Sequence, residues 1–477
     1  MSSWTEVKNE FWRSYTSKLG TFFIVLITLI SLVVLLTMPL DFGTKYWSNP
    51  VYWVDNPKSV PPAWINIFMQ EKLVEHQIVS VNNPTYIEVQ GGVYLKYYTM
   101  KYDFKYERFP TFLNFKISNV KFYENPPLIK VYIVRPDNKV IQILTYPITK
   151  GEFNQTIPYV VFKNEPKRFL LSGDSSLFRS LSDFLYKEFN ISYSVDKINS
   201  IGVEKIIFGI PEGTSSFKPL KGIYQVYVLM YCENENDSLG EVSMVFGGEV
   251  YSLMGTDTLG RDLFQGLMFG FPVALLIGLS TSIFTTIIGA ILGIISGYIG
   301  GMIDTLIQRI ADIFNNIPLL PLLIFFTFIF GGQLWVIVFI LVAFGWPSLT
   351  IIVRSMILSL KSSNFIEAAI AIGASRNRIM VKHIFPQVAP FILAQLIFYT
   401  PSAILSESAL SFLGLGDPSI PTWGQILDYA FRNGAVYLGY WWWVLPPGLL
   451  IIFSAVTFVL IALGLEPVVN PRLRRRR

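Results

Sequence analysis

The 477-residue chain is poor in most of the side chains that support catalysis or covalent cross-linking. It has one cysteine, Cys232, so no intrachain disulfide forms and stability has to come from a packed core. Its two histidines, His76 and His383, are far apart, and with a single thiol they make no credible metal site. Charged residues are 15% of the chain, against about 25% in an average soluble domain. A Gly-rich loop ending in Lys-Ser/Thr, the phosphate cradle of nucleotide hydrolases, is missing, so the chain does not itself carry that phosphate chemistry. The apolar share is 52%, and it is unevenly spread. One long apolar run lies before residue 41, and from about 270 such runs follow one another, while 41–250 reads as water-soluble. Disorder, a disulfide scaffold and a purely soluble enzyme are excluded.

The first run, Thr21 to Leu40, is about 20 residues long, enough to cross roughly 30 Å of hydrocarbon. It is too long for a signal-peptide core, and no small-x-small cleavage site follows it, so 21–40 is expected to be the first transmembrane helix. Ahead of it Trp4, Val7, Phe11, Trp12 and Tyr15 recur at helical spacing, as in a cytoplasmic amphipathic segment, 1–20. Five further spans are expected near 271–295, 315–331, 333–352, 388–410 and 443–465. Trp441, Trp442 and Trp443 fit an outer aromatic belt.

Charge sets the orientation. Residues 1–40 carry +1, residues 41–250 carry zero and residues 251–477 carry +4. With both termini in the cytoplasm, fourteen basic residues fall inside and two, Arg261 and Arg432, on the outer flanks. The expectation is a multi-pass protein of the cell membrane with 41–250 extracellular. Nucleic acid is excluded as a partner, because the soluble part is neutral and has no basic cluster.

Residues 41–250 read as a mostly β, sandwich-like insertion domain. Lys101 to Glu107 alternates charged and aromatic side chains, the period of a half-buried strand. Val131–Val134 and Val140–Leu144 flank a Pro-Asp-Asn turn, and Gly91-Gly92 separates two more strand-like runs, so two hairpins are expected. Ile223–Tyr231 reads as a late buried strand. One helix stands out, capped by Asp174 or Ser175, with Leu177, Phe178, Leu181, Phe184 and Leu185 on one face. Acceptor sequons at Asn154, Asn190 and Asn236 all fall here and make glycosylation an expectation.

The segment 360–386 carries the function. It contains Glu367-Ala368-Ala369, Gly373-Ala374-Ser375 and Ile384-Phe385-Pro386. It reads as two short helices: Gly373 ends the first in a left-handed conformation, Ser375 caps the second and Pro386 stops it. Small side chains at Ala368, Ala369 and Gly373 allow close approach to a groove on another protein. This stretch resembles the EAA loop of ABC-transporter permeases, in which the same residues form a coupling helix. The fuller string is similar to the dipeptide/oligopeptide permease family, and to its C-type subunit in particular. Gly255 to Asp262, Ser296 to Gly301, Glu407 to Gly416 with Pro421-Thr422-Trp423-Gly424, and Asn470-Pro471-Arg472 match that family in order. The large 41–250 insertion departs from it.

The resemblance implies an all-α membrane permease of six transmembrane helices with a five-helix core over 251–466, followed by a basic tail, 467–477. It implies a translocation subunit without catalytic residues, moving peptides or oligosaccharides from an extracellular solute-binding protein into the cytoplasm. It also implies a second homologous permease subunit and two cytoplasmic ATPase subunits that bind ATP and Mg, with no cofactor on this chain. Glu367, Ala368, Ala369, Gly373, Ala374, Ile384 and Pro386 would then couple to an ATPase.

Charged groups beside apolar spans are costly and call for a role. Asp257, Arg261 and Asp262 are candidates for the translocation path or an outer gate, or else cap an interfacial helix or pair with one another. Glu407 either lies on the translocation path or holds the Ser411–Gly416 turn by a hydrogen bond. Asp304, Arg309 and Asp312 read as a structural ion-pair group. Gly289, Gly293, Gly297 and Gly301 recur every four residues and form a helix-packing stripe. Three readings compete: a receptor with an extracellular sensor domain, a membrane enzyme and a secondary transporter. No long cytoplasmic output segment, no catalytic constellation in 41–250 and no internal repeat support them.

Overall fold

The computed structural model describes residues 11–149, 157–213 and 216–469. The chain forms two compact units. One joins the N-terminal segment up to Tyr52 to everything from Leu263 onward, and the other is Trp53–Asp262.

Among the described residues of the first unit five helices are long and apolar enough to cross a membrane: Tyr15–Thr37, Leu263–Ile299, Leu334–Lys361, Arg376–Phe412 and Trp441–Leu465. A sixth crossing exists if Gly301–Asn316 and Leu319–Phe330 count as one span, because this pair is bent by 84°. The bend corrects the expected third span at 315–331. Pro318 caps the second half in an extended conformation, where its missing N–H and its ring break the helix. The helices do not stop at the soluble boundary either. Phe42 and the short helical segment Gly43–Trp47 belong to the first unit, where the Phe42 and Phe269 rings lie 5.2 Å apart.

The glycine stripe has a definite neighbour. A Cβ on Gly289, Gly293 or Gly297 would stand 2.9, 2.7 or 2.7 Å from the Cβ of Leu349, Val353 or Ile357 on the Leu334–Lys361 helix. Thr350 Oγ1 donates to the Gly289 carbonyl at 3.1 Å across the same contact. Close backbone approach without side chains is what packs two helices where no hydrophobic drive separates lipid from protein. Gly301 does not belong to the stripe. It has φ +61°, nothing within 4 Å of a Cβ and a place at the start of the next helix.

Among the described residues the second unit is built on two large antiparallel sheets, with two short two-stranded ones, Val120–Phe122 with Tyr159–Val161 and Gly209–Pro211 with Phe217–Pro219. The five-stranded sheet runs Tyr86–Gln90, Val93–Phe104, Gly222–Cys232, Leu128–Val134, Val140–Pro147, and the four-stranded sheet runs Gln77–Val81, Glu241–Phe246, Leu113–Ser118, Lys167–Leu170. Both expected hairpins form, around Gly91-Gly92 and around Arg135–Lys139. The late strand is central in its sheet, paired on both sides. The sheets share one core, in which the Tyr102 and Phe246 rings stack 3.8 Å apart. The helix Ser175–Phe189 buries all five expected side chains; Asp174 Oδ1 accepts from Ser176 N at 2.8 Å, and Asn190 closes it at φ 55°. Two short helices, Val195–Ile201 and Val203–Phe208, are too brief to show a period in sequence.

Candidate functional site

The 360–386 segment is built from helix Asn364–Ala371, a turn, helix Arg376–Ile379 and a wide helical turn Met380–Ile384 that leads straight into Phe385–Phe412. Gly373 sits at φ +79°. Its N–H donates to Ile370 O at 2.9 Å and the Ala374 N–H donates to Ala369 O at 3.1 Å, the paired bonds of a Schellman cap. Ser375 takes the N-cap position of the second helix in extended backbone, but its hydroxyl makes no capping bond.

Pro386 does not stop the second helix. It falls in the first turn of Phe385–Phe412, where a missing N–H costs little, and the wide turn before it absorbs the crowding of its ring. The result is one continuous helical path from the loop into the span, 37 residues long from Arg376 to Phe412.

Burial divides the loop residues in two. Ile366, Ala369, Ile379, Ile384 and Val388 pack into one cluster with Ile294, Tyr298, Val353 and Ile357, at the ends of the two glycine-packed helices. Ala369 and Ile384 therefore anchor the loop, and Ala374 packs against the same cluster. Glu367, Ala368, Gly373 and Pro386 are exposed. A Cβ at Gly373 would meet only open space. Beside them lie Ile370, Ile372 and Val381, which are 53%, 85% and 66% exposed. Sequence reasoning missed these three apolar side chains. Ile372 follows the end of its helix, so a helical period does not assign it to a face. The outward surface is a small apolar tip flanked by Arg376, Arg378 and Lys382, a shape suited to insertion into a cleft.

The anchor is held by charge as well. Arg354 Nε and Nη2 reach Asp304 Oδ1 and Oδ2 at 2.5 and 2.6 Å, and Ser296 Oγ also donates to Asp304. Asp304 thus pairs with Arg354, not with Arg309, because the turn at Gly300-Gly301 folds the Asp304 helix back beside Leu334–Lys361.

The residues considered for an outer gate are buried, Asp257 and Arg261 bonded to each other and Asp262 to Ser252. Asp257 Oδ1 accepts from Leu259 N at 2.8 Å and Arg261 N at 2.9 Å, and Asp257 Oδ2 accepts from Arg261 Nε. Asp262 accepts from Ser252 Oγ at 2.9 Å. These bonds tie 255–262 into a loop braced against 56–60, where Asn56 Nδ2 donates to Gly260 O and Ser59 N to Asp257 O. Glu407 is buried too, and Ser411 Oγ, one turn on in the same helix, donates to its Oε1 at 2.6 Å. Asn190 and Asn236 are exposed, and Asn154 lies outside the described residues.

Residues 289–475 match the family model described as the inner membrane component of binding-protein-dependent transport systems. The dipeptide transport system permease protein DppC of Bacillus subtilis is 32% identical over 222 residues, covering 46% of this chain and 69% of that protein. The oligopeptide transport system permease proteins OppC of Haemophilus influenzae and of Escherichia coli are 36% and 37% identical, each covered over 72% of its length.

Proposed function

Because the chain belongs to the dipeptide and oligopeptide permease family of binding-protein-dependent transport systems, and so is a multi-pass membrane transport subunit and not an enzyme, we propose that it works in ATP-driven import. In this reading a solute-binding protein delivers peptide, the cargo in the relatives' names, and a second homologous permease completes the channel. Two cytoplasmic ATPases, binding ATP and Mg, drive the cycle. Both termini lie in the cytoplasm. Oligosaccharides remain a second cargo class on the sequence resemblance alone.

One observation carries the proposal: the loop offers a small, exposed apolar tip at Ala368, Ile372 and Gly373 on a base locked into the spans. An ATPase that grips the tip moves Ile366, Ala369 and Ile384, and through them the helices against which these pack. Helix continuity from Arg376 into Phe412 carries the motion into the span, and the capped turn at Gly373–Ser375 joins that helix to the tip. Affinity purification from the native membrane tests the assembly: two ATPases, a second permease and a solute-binding protein are expected. Glu367→Lys or Gly373→Pro should abolish solute-stimulated ATP hydrolysis while membrane insertion persists. Recovery of the chain without any ATPase would discard the reading.

The outer unit, joined at both ends to membrane helices, is proposed to dock or guide the solute-binding protein. Deleting it with the flanks kept should weaken uptake and binding-protein affinity; no change in either removes this role.

A further inference from the structure

Inside the membrane unit a cavity of about 490 Å³ opens between the Leu263–Ile299, Leu334–Lys361 and Arg376–Phe412 helices and the bend at Ile317-Pro318. Its polar lining includes Thr281, Thr285, Asn315, Ser348, Ser402 and Ser406. Among the described residues no Asp, Glu, Lys, Arg or His lines it. A polar surface in the middle of apolar spans is expensive unless it meets water or protein.

Two hydroxyls single the cavity out. A threonine in a membrane helix ordinarily satisfies its hydroxyl on its own helix, as Thr350, Thr400 and Thr457 do with the carbonyls of Trp346, Leu396 and Phe453. Thr281 and Thr285 are 5% and 2% exposed, and their hydroxyls have no partner among the described residues. They are one turn apart and line the same cavity. Leaving such a group unsatisfied costs about 1–3 kcal/mol each. Thr286 Oγ1, buried on the same helix, also lacks a partner among the described residues but does not line this cavity, whereas Thr281 and Thr285 face a space that can supply one. The outer side of the same helix is different: Leu279, Ile283, Phe284 and Ile287 are apolar and exposed, as a lipid-facing surface should be. The volume holds several waters at about 30 Å³ each, or a few residues of a peptide.

We infer that this cavity is a wetted section of the solute's route that engages the backbone amides of a peptide through hydroxyl groups and not through charge. The inference rests on the permease reading and adds the chemistry of the path. Hydroxyls accept and donate, so they bond N–H and C=O groups of any peptide alike. With no fixed charge, the section neither rejects nor traps acidic or basic side chains.

Thiol labelling in the full chain, in native membranes, tests this. Cys232 is buried and its thiol is pushed up to about 11 by that burial, so background reaction is low. Ser348→Cys and Ser402→Cys, at exposed positions of the cavity lining, should react with a charged methanethiosulfonate about tenfold faster than Leu279→Cys, because a thiol facing lipid does not ionise. Tetra-alanine should slow the reaction at both cavity positions, and variants of it carrying one Lys or one Glu should do so equally. Equal rates at all three positions overturn the wetted route. Absent protection, or protection that follows side-chain charge, overturns the amide-recognition claim. Co-purification of ATPases is read separately, so loss of the importer identity is distinguishable from loss of this inference.

Discussion

Arg354 holds Asp304 by two parallel bonds, 2.5 and 2.6 Å, joining helices 50 residues apart at the base of the coupling loop. The pair sets the position of Gly301–Asn316 against the span that the loop leaves. Asp304→Asn or Arg354→Leu should lower the melting temperature of the detergent-solubilised chain. The pair is partly exposed, so the loss should be near the ~1 kcal/mol of a surface-type pair with good geometry. The swap Asp304→Arg with Arg354→Asp should recover part of it. No recovery would show that neighbours such as Ser296, not the charge pair, hold the contact.

Gly293 is the tightest point of the glycine stripe, with Val353 Cβ at 2.7 Å and Thr350 O at 2.9 Å from a built Cβ. Backbone oxygen cannot yield, so Gly293→Leu should separate the helices at a cost of about 1–3 kcal/mol or more. Gly301→Ala meets open space and bears only the left-handed backbone, roughly 1 kcal/mol. Thermal unfolding of the two variants should rank them in that order.

The Asp257–Arg261 pair is buried at both ends. Asp257→Ala strands the guanidinium and two backbone donors, and should destabilise the Trp53–Asp262 unit by about 3–5 kcal/mol. Protease sensitivity of that unit in the full chain reads the effect. Wild-type resistance would show that water replaces the carboxylate.

His76 gives the Trp53–Asp262 unit a pH dependence. Its ring lies against Tyr251 and Phe112, and both nitrogens are buried without a hydrogen-bond partner among the described residues. Burial drops its pKa from 6.5 to about 4, with Asp55 opposing. Above pH 6.5 the ring is neutral folded or unfolded. Between 6.5 and 4 the unfolded chain takes up a proton that the folded unit refuses, so stability falls as pH falls through this window and levels below it. Hydrogen exchange of the sheet peptides, corrected for intrinsic rate, should show the slope, and His76→Phe should flatten it.

Ile372 is 85% exposed, so Ile372→Asp should leave chain stability within ~0.5 kcal/mol. It should cut solute-stimulated ATP hydrolysis in the assembled transporter strongly. Full stimulation with the aspartate in place would move the tip contact elsewhere in the loop.

The linear sequence determined the features that depend on local pattern. Apolar run length marks the spans, charge asymmetry gives the expected orientation, and period-two alternation gives the strands of the outer unit. Asp174 and Asn190 bound their helix, and Gly373 ends the loop's first helix, because backbone conformation at such positions is a property of one or two residues. The tertiary structure decided the rest. That Asp304 meets Arg354, that Ala369 and Ile384 face inward while Ile372 faces out, and that Thr281 and Thr285 share an uncharged cavity all depend on how distant helices pack. Packing joins residues of unrelated sequence position, and a pattern along one helix does not name its neighbour.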